Sequence, residues 1–317
     1  MTLTFGDVKQ AADRIAGKIR PVTVAPVDPG TFSGARVWLA LEFMQHTGSF
    51  KARGAVNFIQ AHQEAGALPA AGVTIASGGN AGLACAWAAK AAGVQATVFL
   101  PETAPALKVD RLRGYGAEVR LIGAEYAEAA TACAELAAST GALASHAYDH
   151  PLIAAGAGTL LEEMRQQIPG LDTAVVAVGG GGLFAGVATA ARHHGIRTVA
   201  VEPEHCRALN AAIEAGQVVD VPVSSVAADS LGARRASEMA LHAAEHGDVC
   251  SVLVPDAEIV RSRRALWDHR RLLVEHGAAT ALAALTSGTY RAADGETVAV
   301  VLCGANTNPA DLGASSA

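Results

Sequence analysis

The sequence predicts an α/β protein made of two units, each an open, mostly parallel twisted sheet flanked by helices. From residue 72 onward, short apolar segments typical of strands alternate with helical segments of about 10–15 residues. A second alternating run starts near residue 173, after a long helical segment. Strands separated by helices in this way form parallel βαβ units with right-handed crossovers.

The composition limits the class of protein. A chain of 317 residues is long enough for a large core, and cores of this size commonly divide into two domains. Hydrophobic residues make up 51% of the chain and aromatic residues 4%, a balance that favours closely packed helices on sheets. The net charge of −6 and the lack of a Lys/Arg run argue against a nucleic-acid partner.

Targeting signals and cysteine motifs are not recognisable. The N-terminal residues lack the apolar core of a secretory signal, and no segment approaches about 18 consecutive apolar residues. We therefore expect a cytoplasmic protein with no membrane partner. The five cysteines are scattered without a C-x-x-C pair, so they suggest neither a disulfide framework nor a zinc site.

The N-terminal part leads into the alternating pattern. Apolar residues recur at helical spacing over residues 6–19 and predict an amphipathic helix. Pro21, Pro26 and Pro29 then predict a turn-rich connection, and residues 36–43 have the pattern of a strand.

The first alternating run predicts a sheet covered by helices on both faces, because its strands are short and apolar. The strands are expected at residues 72–77, 95–100, 117–123 and 142–148. The helices are expected at residues 81–92, 104–115 and 125–139.

The second run opens with a helix over residues 151–168, which starts at a proline. Its strands are expected at residues 173–182 (with the loop that follows), 197–203, 251–255 and 297–304. Its other helices are expected at residues 183–194, 256–271 and 278–286. We expect a large domain of residues 1–48 and 149–317 and a small domain of residues 49–148, with reactive groups at the carboxyl ends of strands.

Two glycine-rich turns connect a predicted strand to a helix. In GGGG (179–182), successive backbone N–H groups and the helix N-terminus can bind a phosphate, whereas a flexible turn is the simpler interpretation. In SGGNAG (77–82), the amides can bind a carboxylate, and Asn80 can either cap the helix or point into the cleft.

Lys51 lies in TGSFKARGA (47–55), just after a Gly-Ser-Phe turn. Most lysines are solvated, so the residue alone predicts little. An apolar segment with Phe50 beside it would partly desolvate the amine and lower its pKa, which favours the neutral form that makes an imine.

Other candidate residues have ordinary interpretations. Cys303, in VVLCGAN, can be a small buried hydrophobe. Glu275 is most simply a surface or capping carboxylate, and Glu202 a charge at a strand end.

Taken in order, the motifs resemble the pyridoxal-phosphate (PLP) enzymes of fold type II, whose fold is tryptophan synthase β-like. The resemblance covers nearly the whole chain and is strongest to the serine/threonine dehydratases, a group that also contains serine racemases. The resemblance rests on the motifs TGSFKARGA (47–55), SGGNAG (77–82), GGGGL (179–183), VEP (201–203), ADSLG (228–232), VEHGAA (274–279) and VLCGAN (301–306).

This resemblance implies roles for individual residues. Lys51 matches the Schiff-base lysine and proton-transfer base, Phe50 the residue packed on the cofactor ring, and Cys303 the group facing the pyridine nitrogen. The phosphate loop matches Gly179, Gly180, Gly181, Gly182 and Leu183. The substrate carboxylate loop matches Ser77, Gly78, Gly79, Asn80 and Ala81, with Asn80 also bonded to the ring hydroxyl.

Three departures from the family pattern refine the expectation. Racemases of the group carry a serine where this chain has Gly78, so a two-base racemase is not expected. Family members bind a cation near the residue that Glu202 matches. Their further side-chain ligand matches Ala208, which cannot bind a metal, so a tight divalent site is not expected. A monovalent ion held largely by carbonyl groups is compatible with the sequence. No C-terminal regulatory domain, and hence no isoleucine feedback, is expected.

We therefore expect a PLP-dependent lyase that converts L-threonine or L-serine into 2-oxobutanoate or pyruvate plus ammonia. The alternatives are a fold type II enzyme for another β-hydroxy amino acid, such as 3-hydroxyaspartate or phenylserine, and a serine racemase. A nucleotide- or amino-acid-binding module with the same cleft is a non-enzyme alternative. The resemblance also implies a homodimer.

Overall fold

Two separate sheets organise the protein, which was studied as a computed structural model that describes residues 2–312. A six-stranded sheet has the order β1-β2-β10-β7-β8-β9, and a four-stranded sheet has the order β5-β4-β3-β6. The strands are β1 (Val24–Pro26), β2 (Arg36–Ala40), β3 (Val73–Ala76), β4 (Ala96–Leu100), β5 (Glu118–Leu121), β6 (Leu143–Ala144), β7 (Thr173–Ala177), β8 (Arg197–Pro203), β9 (Val249–Val254) and β10 (Thr297–Val301).

Helices cover both sheets and connect their strands. They are α1 (Phe5–Ile15), α2 (Lys51–Glu64), α3 (Asn80–Ala91), α4 (Ala106–Gly114), α5 (Tyr126–Thr140), α6 (Pro151–Gln167), α7 (Gly182–His194), α8 (Ala208–Ala215), α9 (Ala228–Leu231), α10 (Glu238–His246), α11 (Asp256–Arg270) and α12 (His276–Thr286). Three short 3-10 segments are Glu42–Met44, His46–Gly48 and Pro309–Leu312.

All strand pairs are parallel except β1 with β2, which is antiparallel. The central strands β7 and β10 are buried along their whole length, as expected for a sheet with helices on both faces. The predicted fold class, two mostly parallel sheets flanked by helices, is confirmed.

Several predicted strands are shorter than the sequence pattern indicated, including those expected over residues 72–77, 117–123 and 297–304, and two others show the cause. The strand expected over residues 36–43 ends at Ala40, because its partner β10 ends at Val301 and the chain then enters 3-10 turns. The strand expected over residues 142–148 comprises only β6. After it, the Nδ1 atom of His146 accepts hydrogen bonds from the backbone N–H groups of Tyr148 and Asp149, which forms a turn.

The region between β8 and β9 contains three helices that the sequence analysis did not assign. α8, α9 and α10 are short, and their Ala-rich sequences have no long amphipathic repeat. The small strand β1 was also missed, because Pro26 suggested a turn.

Helix α2 connects the two sheets. Its glycine Gly54 lies so close to α6 that an added Cβ would be 2.7 Å from the backbone oxygen of Ile153. The strands of the small sheet come from residues 73–144, and those of the large sheet from residues 24–40 and 173–301. The exact domain boundaries at residues 48/49 and 148/149 stay a prediction.

Among residues 2–312, none of the helices combines the length and the apolar character needed to cross a lipid bilayer.

Candidate active site

Three turns follow the carboxyl ends of parallel strands and carry half of the predicted site residues. Residues 77–79 follow β3 in the small sheet, whereas residues 178–181 follow β7 and residues 302–303 follow β10 in the large sheet. Ligand sites of open parallel sheets lie at this edge. Hydrogen bonds described below connect the start of α3 to the segment after β10, and the Tyr148 ring packs on the glycine turn after β7.

Lys51 is the first residue of α2, and its amine lies inside the cleft between the sheets. Its Nζ atom donates to the backbone oxygen of Ala147 at 2.5 Å and is 4.8 Å from the centroid of the Phe50 ring. Burial lowers the pKa of the amine to about 8, although the nearby Cys303 and Glu275 side chains oppose this shift. A neutral amine is therefore available near neutral pH.

The turn before Lys51 is bonded to the end of β10. The Phe50 backbone N–H donates to the Cys303 oxygen at 3.0 Å, and Ser49 forms an isolated antiparallel bridge with Gly304. Thr47 has a φ of 62°, which is uncommon outside glycine and indicates a constrained turn. These bonds bring Lys51 and Cys303 together.

Cys303 is buried in the turn that follows β10. Burial, together with the Glu275 carboxylate, raises the pKa of its thiol to about 12. The side chain is therefore a neutral thiol at physiological pH. It fits the predicted role of an uncharged group facing a ring nitrogen.

Asn80 belongs to a network that joins the small sheet to the large sheet. Its Nδ2 atom donates to both carboxylate oxygens of Glu275 at 3.0 Å, and its Oδ1 atom accepts from Asn306 Nδ2 at 2.7 Å. The helix-cap interpretation of Asn80 is wrong, since Gly79 occupies the cap and Asn80 starts α3. Its side chain points into the cleft.

Glu275 was interpreted as a surface or capping carboxylate, and the structure shows a buried group. It precedes α12, and its Oε1 atom accepts from the Asn306 backbone N–H at 2.7 Å in addition to Asn80. Burial raises the pKa of this carboxyl group, and the bonds from Asn80 and Asn306 lower it in part. The sequence analysis missed Asn306, which only the fold brings next to Asn80.

The glycine turn between β7 and α7 is packed so closely that side chains would not fit. A Cβ at Gly180 would collide with the Tyr148 ring, and a Cβ at Gly179 would be 2.9 Å from the Leu231 backbone. Gly181 has a φ of 92°, a conformation that favours glycine. Leu183, on the first turn of α7, is buried.

Tyr148 connects the glycine turn to Lys51. Its ring lies over Gly180, its Oη atom donates to the Arg235 oxygen at 3.2 Å, and the residue before it accepts the Lys51 hydrogen bond. The sequence analysis missed this tyrosine because it lies in a segment that has the pattern of a strand.

The turn of residues 77–81 forms the other wall of the cleft. A Cβ at Gly78 would collide with the Leu100 side chain, whereas Gly79 has open space around it. Ala81 is buried on α3, and Ser77 is partly buried. The space that a serine side chain would need at position 78 is therefore filled by Leu100.

A pocket at this turn is lined by groups from both sheets. Its lining includes Gly78, Gly79, Asn80, Leu83, Lys108, Arg111, Asp229, Glu275 and Asn306. Lys108 pairs with Asp229 at 2.6 Å, and Arg111 donates to the Oδ1 atom of Asn306 at 2.6 Å. Lys108 and Arg111 carried no recognisable sequence motif and were not predicted.

Glu202, the candidate residue for a cation site, belongs to the last residues of β8 in the large sheet. It is fully buried at the end of β8, and its two oxygens accept from the backbone N–H groups of Leu209 and Asn210 at 2.8 and 2.7 Å. Burial raises its pKa to about 8. Within the described residues, no group of three or more His, Cys, Asp or Glu side chains could hold a metal ion.

Comparison with known proteins identifies relatives over nearly the whole chain. The family described as "Pyridoxal-phosphate dependent enzyme" matches residues 19–304. The chain is 36% identical over 304 residues to the L-threonine ammonia-lyase of Geobacter sulfurreducens, covering 94% of this chain and 75% of that protein. It is 38% identical over 288 residues to the serine dehydratase-like protein of Homo sapiens, covering 86% of each.

A solved structure agrees with the architecture. The serine racemase from Dictyostelium discoideum superposes with a TM-score of 0.90 at 28% identity, covering 97% of this chain and 100% of that one.

Proposed function

Because the chain belongs to the family of pyridoxal-phosphate dependent enzymes, we propose that it is an ammonia-lyase acting on L-threonine and L-serine. The β-hydroxyl group leaves as water, and hydrolysis of the resulting enamine releases ammonia with 2-oxobutanoate or pyruvate. One observation carries this proposal: the Lys51 amine is buried near Cys303, and this burial lowers its pKa.

Unsatisfied polar groups support PLP as the cofactor. The hydroxyl oxygens of Thr47 and Ser49, buried just before Lys51, have no hydrogen-bond partner within residues 2–312. At the turn that precedes α7, the backbone N–H groups of residues 179–181 donate no hydrogen bond among the described residues. Such groups at a helix N-terminus suit a phosphate.

The residues proposed to hold PLP are Lys51, Phe50, Asn80, Gly179, Gly180, Gly181, Gly182, Leu183 and Cys303. When bound, PLP supplies an electron sink that stabilises negative charge at the substrate Cα. Lys51 is proposed to bind the cofactor covalently and, once free, to remove the proton from Cα. A neutral Cys303 thiol leaves the sink weaker than a carboxylate would, which suits rapid loss of the β-hydroxyl group.

The substrate carboxylate is proposed to bind at the turn of residues 77–81. Its groups are Ser77, Gly78, Gly79, Asn80 and Ala81. Because residue 78 is a glycine, this turn offers no second acid/base side chain at that position, and the Leu100 side chain occupies the adjacent space. We therefore favour elimination, with Lys51 as the base, over racemisation.

A second substrate class is favoured by one feature of the pocket. Arg111 pairs with no carboxylate among the described residues, although its guanidinium lines the same pocket as Gly78 and Asn80. A guanidinium with spare donors binds a carboxylate well. The second candidate is therefore 3-hydroxyaspartate, whose extra carboxylate would meet Arg111.

A substrate panel tests both candidates. Keto acid, ammonia and D-amino acid are measured with L-serine, L-threonine, phenylserine and 3-hydroxyaspartate, for the native protein and for Arg111→Gln. Arg113→Gln, an exposed arginine on the same helix, is the matched control. We expect threonine and serine to give keto acid, and both variants to keep this activity.

Two outcomes would change the assignment. Activity restricted to 3-hydroxyaspartate and lost in Arg111→Gln alone would establish the second candidate. D-serine formed from L-serine at a rate matching keto-acid formation would replace the lyase by a racemase.

Three finer expectations are also part of this proposal. A monovalent cation near Glu202 is tested by comparing activity in potassium and in tetramethylammonium salts. The homodimer is tested by light scattering, where a monomer mass would contradict it. The cytoplasmic location is tested by fractionation of the source cells.

A further inference from the structure

Arg53 lies two residues after Lys51 on the first turn of α2, so its side chain leaves the helix on a different face. The side chain is fully buried, with no solvent exposure. A buried guanidinium is costly unless all its donors are bonded. The bonds it makes therefore indicate what the residue does.

Three side chains from two elements bind the guanidinium. Glu42 accepts from Nε at 2.6 Å and from Nη2 at 3.0 Å. Glu163, on α6, accepts from Nη1 at 2.7 Å and from Nη2 at 2.9 Å, and Thr159 accepts from Nη1 at 3.1 Å. We call Arg53, Glu42, Glu163 and Thr159 the Arg53 cluster.

Each partner in the Arg53 cluster belongs to a segment that contributes to the cleft. Glu42 is followed by Phe43, whose backbone N–H donates to the Leu302 oxygen at 2.9 Å, next to Cys303. Glu163 and Thr159 are on α6, which begins just after the turn that holds Ala147. Ala147 accepts the hydrogen bond of the Lys51 amine.

The cluster therefore connects three points around Lys51. Arg53 holds the first turn of α2, Glu42 holds the segment bonded to β10, and Glu163 holds α6. The Glu42 carboxylate also adds to the raised pKa of the Cys303 thiol, which lies next to the residue that the Glu42 segment is bonded to. A purely apolar contact would fill the space without fixing these directions.

We propose that Arg53 is a positioning residue for the reaction: through Glu42 and Glu163 it holds the Lys51 amine in fixed geometry relative to Cys303. This inference rests on the proposed role of Lys51. Burial of an ion pair is weak evidence for stability, so geometry is the function assigned to this cluster.

The other end of the same helix provides a matched control. Arg14 donates to Glu64 at 2.8 Å and to Asn57 at 2.8 Å, and it thereby holds the C-terminal part of α2. Its partner Glu64 is exposed, and within residues 2–312 neither Arg14 nor Glu64 has a hydrogen bond to the turns of the cleft. Arg14→Lys therefore changes an α2 ion pair without changing the cleft.

The experiment compares Arg53→Lys, Glu163→Gln and Arg14→Lys as purified holoenzymes. Lysine keeps the charge, but its ammonium group cannot form the two bidentate contacts that the Arg53 guanidinium makes with Glu42 and Glu163. Thermal unfolding, the visible absorption and circular dichroism of the bound cofactor, and kcat and KM across pH are measured. We expect kcat to fall by about 10²-fold in Arg53→Lys, with KM little changed, because small displacements of a reacting group have effects of this size.

We also expect the visible dichroism and the pH midpoint of kcat/KM to change in Arg53→Lys and Glu163→Gln, and neither to change in Arg14→Lys. If Arg53→Lys does not fold, Glu163→Gln, whose side chain is partly exposed, decides the question by the same measurements. A lower melting temperature with unchanged kcat, dichroism and pH midpoint would overturn the inference. A native protein without a visible cofactor band would instead contradict the proposed function.

Discussion

Lys51 has a specific environment rather than an unusual sequence. The residue before it is bonded to Cys303, its amine is bonded to Ala147, and burial lowers its pKa to about 8. A solvated lysine with a pKa of 10.5 would be almost fully protonated at neutral pH. The local structure thus makes this amine the reactive one.

The pH dependence of cofactor attachment tests this environment. Only the neutral amine attacks an aldehyde, so the rate should rise about tenfold per pH unit below pH 8 and level off above it. The measurement is the growth of the visible band after PLP is added to cofactor-free protein.

Lys51→Arg should show no visible band, because arginine stays protonated and cannot form the bond. Lys18→Arg, at an exposed lysine after α1, is the control and should behave like the native protein.

For the pH dependence, a rate of cofactor attachment to the native protein that still rises between pH 8 and 10 would mean that burial does not lower the pKa of Lys51.

At the scale of elements, contacts between helices set the cleft. α6 packs against α2 and α7 through glycines, because Gly156 contacts Arg53 and Gly54, and Gly158 contacts Gly186. These contacts bring helix axes closer than larger side chains would permit. They hold α2, which begins with Lys51, and α7, which follows the glycine turn, against the same helix.

Substitution of Gly186 tests this packing. The new Cβ would collide with the Ala154 oxygen and lie 2.8 Å from the Gly158 Cα atom, and backbone atoms cannot move aside easily. We expect Gly186→Ala to lower the free energy of unfolding by about 1–3 kcal/mol. The measurement is urea denaturation followed by circular dichroism.

Gly114→Ala is the control for this prediction. Gly114 ends α4, and an added Cβ there meets no atom within 4 Å. Alanine should be neutral or stabilising by about 0.4–1 kcal/mol. Equal stability of both variants would show that α6 and α7 can separate at little cost.

For the whole molecule, polar contacts join the two sheets across the cleft. Lys108 on α4 pairs with Asp229 on α9, and Asn80 on α3 is bonded to Glu275 before α12. The first pair is largely exposed, whereas Glu275 is buried. The buried contact should therefore contribute more to holding the two sheets together than the exposed pair.

Asp229→Asn should raise KM by about fivefold or less and leave kcat and the melting temperature unchanged, because exposed ion pairs are weak. KM of the native protein should rise with added salt, and KM of the variant should not. Asp110→Asn, which affects an exposed pair with Arg113 on the same helix, is the control. A large loss of kcat in Asp229→Asn would show that this pair does more than join the two sheets weakly.

Much of this architecture was predictable from local patterns. Strands such as β4 and β10 are continuous apolar runs next to Ala-rich helices, and the glycine turns mark where strands lead into helices. The limits of β2 and β6 were not predictable, because β2 ends with its partner strand β10 and β6 ends before the turn at His146. The helices between β8 and β9 were missed because their short Ala-rich segments depend on tertiary contacts.

By itself, the sequence determined the fold class, the family resemblance and the residues proposed for the cofactor, since these depend on order and spacing along the chain. Only the tertiary structure decided the partners of those residues. Glu275 and Asn306 meet Asn80, Leu100 fills the space beside Gly78, and Arg53 binds two carboxylates beneath Lys51. The physical reason is that these contacts join residues far apart in the chain, and burial, which shifts their pKa values, exists only after folding.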